Sequence, residues 1–316
     1  MIEYRSFRNG DVPALVCIWN HCADSRGVAE PITDDSLDAL VLSKTYFDPQ
    51  GLILALDDGR PIAFAHAGFG ANTQEDALEY QLGVVCAILV EPQFRRRGIG
   101  RELLGRSEDY LRSGGAQVIY AGGMHPLNPF YLGLYGGSEL PGFLESNSGA
   151  RPFLEACDYG RADECLVFER PVNAAPTVPD VRLIRIQRRT RIETHDGLAR
   201  PTWWWAATMG PFEQVRFSLF ANSDGKQLAE ATIWDMHLLS QKWQHKTVGM
   251  VNVSVTEDQR RQGLGKYLVT EILRRLKQQY IAALQVQTMK RNASAVAFYE
   301  SLGFEAIDRG AIYRKQ

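Results

Sequence analysis

The chain has 316 residues, with 35 Lys and Arg against 37 Asp and Glu, so its net charge is −2. This length predicts two domains, and the slightly acidic balance argues against a broadly basic nucleic-acid binder. The longest apolar run, Val84–Val90, is far shorter than the roughly 18 residues of a membrane helix. The start, MIEYRSFRNGD, lacks the apolar core of a secretory signal. We therefore expect a cytoplasmic protein without a membrane or nucleic-acid partner.

The cysteines show neither the CxxC spacing of a redox motif nor paired zinc-ligand spacing. We expect reduced thiols and no metal site. The five are Cys17, Cys22, Cys86, Cys157 and Cys165.

A proline-rich stretch divides the chain. Residues 171–180, PVNAAPTVPD, contain three prolines between small residues, which favours an extended, irregular segment because proline cannot donate to a sheet. The sequence thus predicts a first domain at 1–170, a linker at 171–180 and a second domain at 181–316.

The first half reads as mixed α/β. AFAHAGFG after Asp58-Gly59 predicts the second strand of a hairpin. Val84–Val90 predicts a buried strand, and apolar residues at helical spacing from Leu103 predict the helix that follows. A strand near Val118–Tyr120 completes a strand–helix–strand unit, which implies parallel pairing.

The second half repeats this order. AEATIWDM after Asp224-Gly225 predicts a hairpin strand, and Val248–Val255 predicts the strand before a long helix. A further strand is expected over Leu284–Thr288. A last helix over about 293–302 is expected to end at Gly303.

Individual residues recur in both halves with the same order and spacing. Gly263 and Gly265 follow Gly98 and Gly100 at a constant offset of 165 residues. Downstream, an Asn and a Tyr seven positions apart occur twice, as Asn128 and Tyr135 and as Asn292 and Tyr299. The sequence therefore predicts a tandem repeat of one α/β unit.

The repeated turn R-x-x-G-x-G has the features of an anion site. Glycines leave room for backbone amides to turn inward, and the helix that starts there offers unpaired N–H groups and a favourable dipole. No GK[ST] follows, and Leu103 and Leu268 stand where a dinucleotide motif has its third glycine. The turn is thus expected to cradle a pyrophosphate of another kind of ligand.

These motifs resemble the GCN5-related N-acetyltransferase family, in tandem. Arg95-Arg96-Arg97-Gly98-Ile99-Gly100 and Arg260-Arg261-Gln262-Gly263-Leu264-Gly265 are similar to its [QR]-x-x-G-x-[GA] acetyl-CoA fingerprint. The tail from Asn292 through Tyr299 to Phe304 is similar to its N-x-x-A-x-x-x-Y-x-x-x-G-F motif. The two-copy layout resembles the mycothiol synthase type. The resemblance implies two acyl-CoA N-acyltransferase domains, each with a splayed central sheet flanked by helices.

The resemblance also implies a cofactor, acetyl-CoA, and the residues that would bind it. The ends of the two central strands would pair with the pantetheine arm, the two loops would hold the pyrophosphate, and an Asn at the last helix would contact the arm. In the second half these are Val253, Ser254, Val255, Arg260, Arg261, Gln262, Gly263, Leu264, Gly265, Lys266 and Asn292; in the first they are Ile88, Leu89, Val90, Arg95, Arg96, Arg97, Gly98, Ile99, Gly100, Arg101 and Asn128.

The family's tyrosine, which protonates the leaving thiolate, maps to Tyr299 and to Tyr135. A tyrosine with a pKa of about 10 is protonated at neutral pH and can act as such an acid. The first half departs from the pattern. Pro129 follows Asn128 and Gly136-Gly137 follow Tyr135, so the helix predicted there is short. We therefore expect the second half to be the active one.

The sequence does not identify the general base. Family members often place a glutamate on the central strand, but neither strand here has one. Glu230, Asp235 and His237 on the preceding strand are candidates, and a water chain to solvent is equally possible.

The run Trp203-Trp204-Trp205 also has two interpretations, an apolar acceptor pocket between the halves or packing at their interface.

The sequence thus predicts transfer of an acetyl group from acetyl-CoA to a primary amine of a small molecule by direct attack. Transfer to a protein or peptide amine and a non-catalytic acyl-CoA-binding module remain alternatives. The oligomeric state is not predicted.

Overall fold

In a computed structural model, residues 1–174 and 181–316 are described. They form one thirteen-stranded mixed sheet in the order β1-β2-β3-β4-β5-β13-β7-β12-β11-β10-β9-β8, with β6 paired to β13. No helix in these two ranges is both long and apolar enough to cross a membrane. The strands are β1 Ile2–Ser6, β2 Leu52–Asp57, β3 Arg60–Ala71, β4 Leu78–Val90, β5 Val118–Ala121, β6 Phe143–Leu144, β7 Tyr159–Pro171, β8 Thr190–Asp196, β9 Gln214–Ala221, β10 Gln227–Asp235, β11 Thr247–Val255, β12 Ala283–Met289 and β13 Glu305–Lys315.

Helices cover both faces of this sheet. The two longest, α3 and α8, each have 15 residues and present an apolar face to the sheet. The helices are α1 Val12–Cys22, α2 Asp34–Leu37, α3 Ile99–Ser113, α4 Ala150–Glu155, α5 Val181–Arg189, α6 Trp203–Met209, α7 His237–Trp243, α8 Leu264–Gln278 and α9 Ala293–Ser301. The strand–helix–strand units, both hairpins and the last helix with Gly303 (φ 76°) after it are confirmed as predicted.

The two halves exchange strands at the centre of the sheet. β13, the last strand of the chain, lies between β5 and β7 of the first half. In turn, β7 lies between β13 and β12 of the second half. Each half therefore completes its sheet with a strand from the other, and neither sheet is whole without the full chain.

The end of β7 overlaps the start of the predicted linker. Pro171 is the last residue of β7, and Val172 is buried and donates its backbone N–H to Ala282 O at 2.8 Å. Residues 175–180 of the predicted linker lie outside the described residues. The domain limits 1–170 and 181–316 stay a prediction.

Each central strand separates from its parallel neighbour partway along. β4 pairs with β5 from Leu82 to Val85 and then continues alone on that side to Val90. β11 pairs with β12 from Thr247 to Met250 and continues to Val255. Each half therefore contains a wedge-shaped opening beside residues 86–90 or 251–255, which we call the splay.

The prediction of a helix after Asn128 is wrong. Residues 122–142, which connect β5 to β6, contain turns and isolated bridges in its place. Tyr135 bridges Val28, and Gly136 donates its backbone N–H to Gly27 O at 2.8 Å. The physical reason is local, because Pro129 and the glycines Gly133 and Gly136 with φ of 83° and 94° interrupt helical geometry. We call residues 122–142 the insertion loop.

The tryptophan run packs between the halves. Trp204 and Trp205 are buried, and Trp204 lies 4.8 Å from the Tyr46 ring by centroid. Thr202, which caps α6, donates its hydroxyl to the buried Glu75 of the first half at 2.6 Å. Of the two interpretations of this run, interface packing is the one that the structure supports.

We expect Gly310→Ala to lower the free energy of unfolding by about 1–3 kcal/mol, the usual cost of overpacking. Gly310 lies on β13, and an added Cβ would collide with the Pro141 carbonyl oxygen of the insertion loop. Gly10→Ala is the control, because nothing lies within 4 Å of its added Cβ. Urea unfolding followed by tryptophan fluorescence measures both, and equal stabilities would contradict the tight packing of β13 against this loop.

Candidate functional site

The two glycine loops have the same backbone geometry. Arg96 and Arg261 both have φ of 64°, and Gly98 and Gly263, the N-cap residues directly before α3 and α8, have φ of 84° and 87°. Such left-handed residues before a helix turn successive N–H groups toward one point. Both predicted loops therefore form the same backbone anion cradle.

One arginine of each loop is tied to the strand before it. Arg95 Nε donates to Val90 O at 3.0 Å, and Arg260 Nε donates to Val255 O at 3.3 Å. These side chains fix each loop against the end of its central strand. The side chains of Ile99 and Leu264 are buried in the core, so these two predicted residues can contribute only backbone groups to the cradle.

The remaining predicted loop residues differ in position. Arg97 and Gln262 are exposed, and Lys266 is half-buried in the first turn of α8. Arg101 donates to Ala156 O at 2.8 Å, which links α3 to the residues after α4. These side chains stand at the rim of the cradles, where cations suit phosphate oxygens.

The first half has an open cleft of about 740 Å³ between the splay and the loop. It brings together most of the residues predicted for this half, together with several from α4 and the segment before it. The predicted residues that line it are Ile88, Leu89, Val90, Arg95, Arg96, Gly98, Gly100 and Arg101.

Asn128 and Tyr135 do not line this cleft. Asn128 is buried in the insertion loop, and its Oδ1 atom has no partner among the described residues. Tyr135 accepts a hydrogen bond from the Leu144 N–H at 2.7 Å through its hydroxyl. Neither side chain lines the cleft, so the structure does not bring them to the positions that the motif spacing predicted.

Asn147 and Leu154 occupy those positions in the first half. Residues 147–159, NSGARPFLEACDY, follow the same path as 292–304, NASAVAFYESLGF. Cys157 N–H donates to Leu154 O at 2.9 Å, as Leu302 N–H donates to Tyr299 O at 3.0 Å.

The same correspondence holds at both ends of this segment. Ala150 N–H donates to Asn147 O at 3.1 Å, as Ala295 N–H donates to Asn292 O at 3.0 Å. Asp158 has a φ of 63°, close to that of Gly303. The offset is 145 residues here against 165 at the loops, so the insertion loop accounts for the difference and hid the match.

The two helices also pack identically on the loops. Phe153 lies 3.3 Å from where a Cβ of Gly100 would be, and Phe298 lies 3.4 Å from that of Gly265. The residue after each phenylalanine is Leu154 in α4 and Tyr299 in α9. Of these two equivalent positions, only the one in the second half therefore has a proton donor.

Tyr299 is buried among aromatic rings. The Phe298, Phe304 and Phe168 rings lie 5.2, 5.6 and 6.1 Å from its ring centroid. Burial raises the pKa of Tyr299 above its ordinary value of 10, and the charge of Glu139 raises it further. The hydroxyl is therefore protonated at neutral pH. Asn292 caps the same helix by accepting from the Ala295 N–H at 3.2 Å.

The insertion loop fills the face of the first-half sheet opposite α3. Phe130 stacks on His66 with centroids 4.2 Å apart, and the Tyr131 hydroxyl lies 3.0 Å from His66 Nδ1. Burial lowers the pKa of His66 to about 3, so this histidine is neutral. Aromatic packing therefore occupies this face of the first-half sheet.

The same loop then continues onto the second half. Ser138 N–H donates to Gln285 Oε1 of β12 at 3.0 Å, and Trp234 Nε1 of β10 donates to Ser138 O at 3.1 Å. Glu139 follows, partly buried, and burial raises its pKa from 4.5 to about 7. The sequence alone gave no signal for Glu139, because it is remote from every motif.

The three base candidates, two on β10 and one on α7, lie near opposite ends of the β10 and β11 strands. Asp235 pairs with Val248 at the start of β11, and His237 begins α7, so both lie at the end away from the splay. Glu230 pairs with Ser254 beside the splay, where its carboxylate accepts from Gln227 Nε2 at 2.9 Å. Of the three candidates, Glu230 is thus the one that lies beside the splay end of β11.

The chain belongs to the acetyltransferase (GNAT) family, whose pattern it matches over residues 17–136 and 181–304. The family of acyltransferase enzymes and the tandem fold expected from the sequence are thereby confirmed.

The ribosomal protein bS18-alanine N-acetyltransferase of Escherichia coli is 40% identical over 55 residues, which are 17% of this chain and 37% of that protein. The chain thus spans little more than a third of that relative's length.

Solved structures match across almost the whole chain. A tandem GNAT protein from the clavulanic acid biosynthesis pathway has a TM-score of 0.67 at 15% identity, covering 99% of this chain and 98% of that one. A GCN5-related glucosamine N-acetyltransferase region of a fungal GH3 β-N-acetylglucosaminidase has a TM-score of 0.71 at 16% identity. This match covers 99% of this chain and 38% of that one. At such identities the likeness shows the fold alone.

We expect Asn147→Ala to weaken acetyl-CoA binding to the first half by about tenfold, or 1.4 kcal/mol, because Asn147 lines the cleft. Asn128→Ala is the comparison, since Asn128 lies outside the cleft and should leave the affinity unchanged. Calorimetry on the full chain with the second-half loop disabled isolates this site. A larger loss with Asn128→Ala would restore the assignment made from motif spacing.

Proposed function

We propose that the protein is an acetyl-CoA-dependent N-acetyltransferase whose second half transfers the acetyl group to a primary amine of a small molecule. The observation that carries this proposal is the residue at one equivalent position of two helices that pack on their loops in the same way. Tyr299 stands in α9 where Leu154 stands in α4. A thioester sulfur needs a proton when it leaves, and leucine cannot supply one.

The residues present fit acetyl-CoA in both halves. The cradles offer inward N–H groups and helix N-termini for a pyrophosphate, and an added Cβ at Gly98 would meet nothing within 4 Å. The strand ends 88–90 and 253–255 have no strand partner on the splay side within the described residues. Their backbone groups are thus open to a pantetheine arm. When bound, acetyl-CoA supplies the activated acetyl group.

The second half provides the chemistry around that group. The amine nitrogen attacks the thioester carbonyl, the carbon–nitrogen bond forms and the carbon–sulfur bond breaks. Tyr299 donates its proton to the departing sulfur, and its raised pKa keeps that proton on the hydroxyl until it is needed. No covalent enzyme intermediate is required.

The first half is proposed to bind acyl-CoA without turnover. Its cleft and cradle are formed, but Leu154 replaces the acid, and Phe130 and Tyr131 fill the acceptor side. A bound cofactor there stabilises the whole chain by mass action, because the halves share strands.

Gly263→Asp should weaken acetyl-CoA binding to the second half at least tenfold, about 1.4 kcal/mol, because it places a carboxylate among amides oriented for phosphate. Gly225→Asp is a matched control, since Gly225 also has a positive φ (72°) and nothing within 4 Å of its added Cβ. Calorimetry of the full chain carrying Gly98→Asp leaves only the second site to titrate. Equal affinity of the Gly263 and Gly225 variants would remove the assignment of this loop.

Tyr299→Phe should reduce kcat by about 10²-fold with little change in acetyl-CoA affinity, because it removes one proton donor and keeps the ring. Tyr135→Phe is the comparison and should keep most activity, since Tyr135 does not line the cleft and its hydroxyl accepts from the backbone N–H of Leu144. Thiol release is measured with glucosamine, ethanolamine, spermidine and an alanine-initiated hexapeptide. The opposite ranking of the two variants would place the chemistry in the first half, and turnover of the hexapeptide alone would exclude a small-molecule acceptor.

A further inference from the structure

The proposed reaction needs a proton acceptor that the second half does not carry on its own central strand. Residues 250–255, MVNVSV, contain no carboxylate or histidine. An ammonium must lose one proton to solvent before it attacks, and the attacking nitrogen loses a second proton as the amide forms. A side chain that accepts the second proton would therefore come from another element that faces the splay.

The insertion loop of the first half is held against the second-half sheet beside the splay. Ser138 is fixed by Gln285 of β12 and by Trp234 of β10. Gly249 of β11 lies between these two strands, and a Cβ added there would lie 2.9 Å from Ser138 Cβ. The loop thus crosses β10, β11 and β12 just before β11 and β12 diverge.

Strand alternation places this loop on the face opposite Tyr299. Gln285 pairs with Glu169 and Val286 pairs with Phe168, so these pairs point to opposite faces of the sheet. Tyr299 packs against Phe168, whereas Ser138 bonds Gln285. A nitrogen approaching along the loop would therefore reach a thioester held in the splay from the side opposite the tyrosine.

Glu139 follows Ser138 directly, and the loop then reaches β13, where a Cβ added to Gly310, the pairing partner of Cys165 of β7, would collide with Pro141 O. The charge of Glu139 raises the pKa of Tyr299 of α9 and of Cys165, in agreement with a carboxylate near the end of the sheet where the splay lies. Within the described ranges, no hydrogen bond or ion pair of the Glu139 carboxylate is present. The carboxylate is therefore free to meet an amine.

We propose that Glu139, carried by the first half, is the catalytic base of the second half and takes the proton from the acceptor amine. This inference rests on the proposed assignment of the chemistry to the second half. As the carbon–nitrogen bond forms, the nitrogen's proton passes to the carboxylate. As the carbon–sulfur bond breaks, the proton of Tyr299 passes to sulfur. Solvent then returns a proton from Glu139 to Tyr299, and the balance closes.

The electrostatic setting suits this role. Burial holds the pKa of Glu139 at about 7, within the range where a base is both deprotonated and strong near neutral pH. β10, β11 and β12 contribute the uncharged Trp234, Gly249 and Gln285 to the loop's surroundings. The titratable and charged groups on the loop and the elements packed around it include His125 with its ion-paired Glu75, Tyr131, Tyr135, Cys165, Glu169 with its ion-paired Arg26, Arg170, Tyr299 and Asp308.

The test compares Glu139→Gln with Glu145→Gln, an exposed carboxylate that pairs with Arg161 and lies outside the cleft and the splay. With the best amine of the panel, wild-type kcat should fall about tenfold per pH unit below about 7. Glu139→Gln should lose roughly 10²-fold in kcat at pH 8 together with this pH dependence. Glu145→Gln should keep both. Formate should partly restore Glu139→Ala, because it supplies a carboxylate.

Two measurements keep the outcome interpretable. A folded Glu139→Gln should melt higher than wild type at pH 8 but not at pH 4.5, because a carboxyl with a raised pKa destabilises the fold only once it is ionised. Wild-type kcat and pH profile in Glu139→Gln, with Tyr299→Phe still impaired, would overturn this inference alone. Full activity in Tyr299→Phe with loss in Gly98→Asp would overturn the proposed function and the role of Glu139 with it.

Discussion

The antiparallel pairing of β13 with β7 is the constraint on which the rest of the molecule depends. The two strands pair from Glu305 with Glu169 to Lys315 with Tyr159, at the middle of the sheet. Because β7 ends the first half and β13 ends the second, this ladder can form only when both halves are folded. Relative positions of groups in the two halves are thereby fixed by backbone hydrogen bonds, which makes a site shared between them geometrically possible.

The insertion loop is the largest departure from symmetry between the two acetyltransferase units. It adds 20 residues to the first half, the difference between the offsets of 165 and 145. One part packs Phe130 and Tyr131 onto the first-half sheet, and the next part places Ser138 against β12. A single insertion therefore packs on the sheet of one unit and continues onto the sheet of the other.

The secondary-structure elements and the backbone geometry of the two loops could be predicted from the sequence. The tertiary placement of side chains could not. Gly98 and Gly263 were predictable because a left-handed turn before a helix restricts residue type at that position itself. Tyr135 was assigned by its spacing from Asn128, and spacing fails when an insertion lies between the strand and the helix. A looser pattern, N-x-x-A-x-x-F, would have found Asn147 and Phe153. Glu139 carries no local signature, because strand exchange and loop path alone bring it to the second half.

The comparison of α4 with α9 shows what kind of change separates two copies of a site. The shortness of α4 does not disturb the backbone geometry at its end. The hydrogen bond from Cys157 N–H to Leu154 O is 2.9 Å long, and the equivalent bond after α9 is 3.0 Å long. Asp158 even adopts the left-handed conformation that Gly303 takes at less cost. The cradle persists in both halves because amides and a helix dipole bind an anion whatever the side chains are. In the proposed mechanism acid catalysis depends on one hydroxyl, so a leucine at position 154 would be enough to leave binding without chemistry.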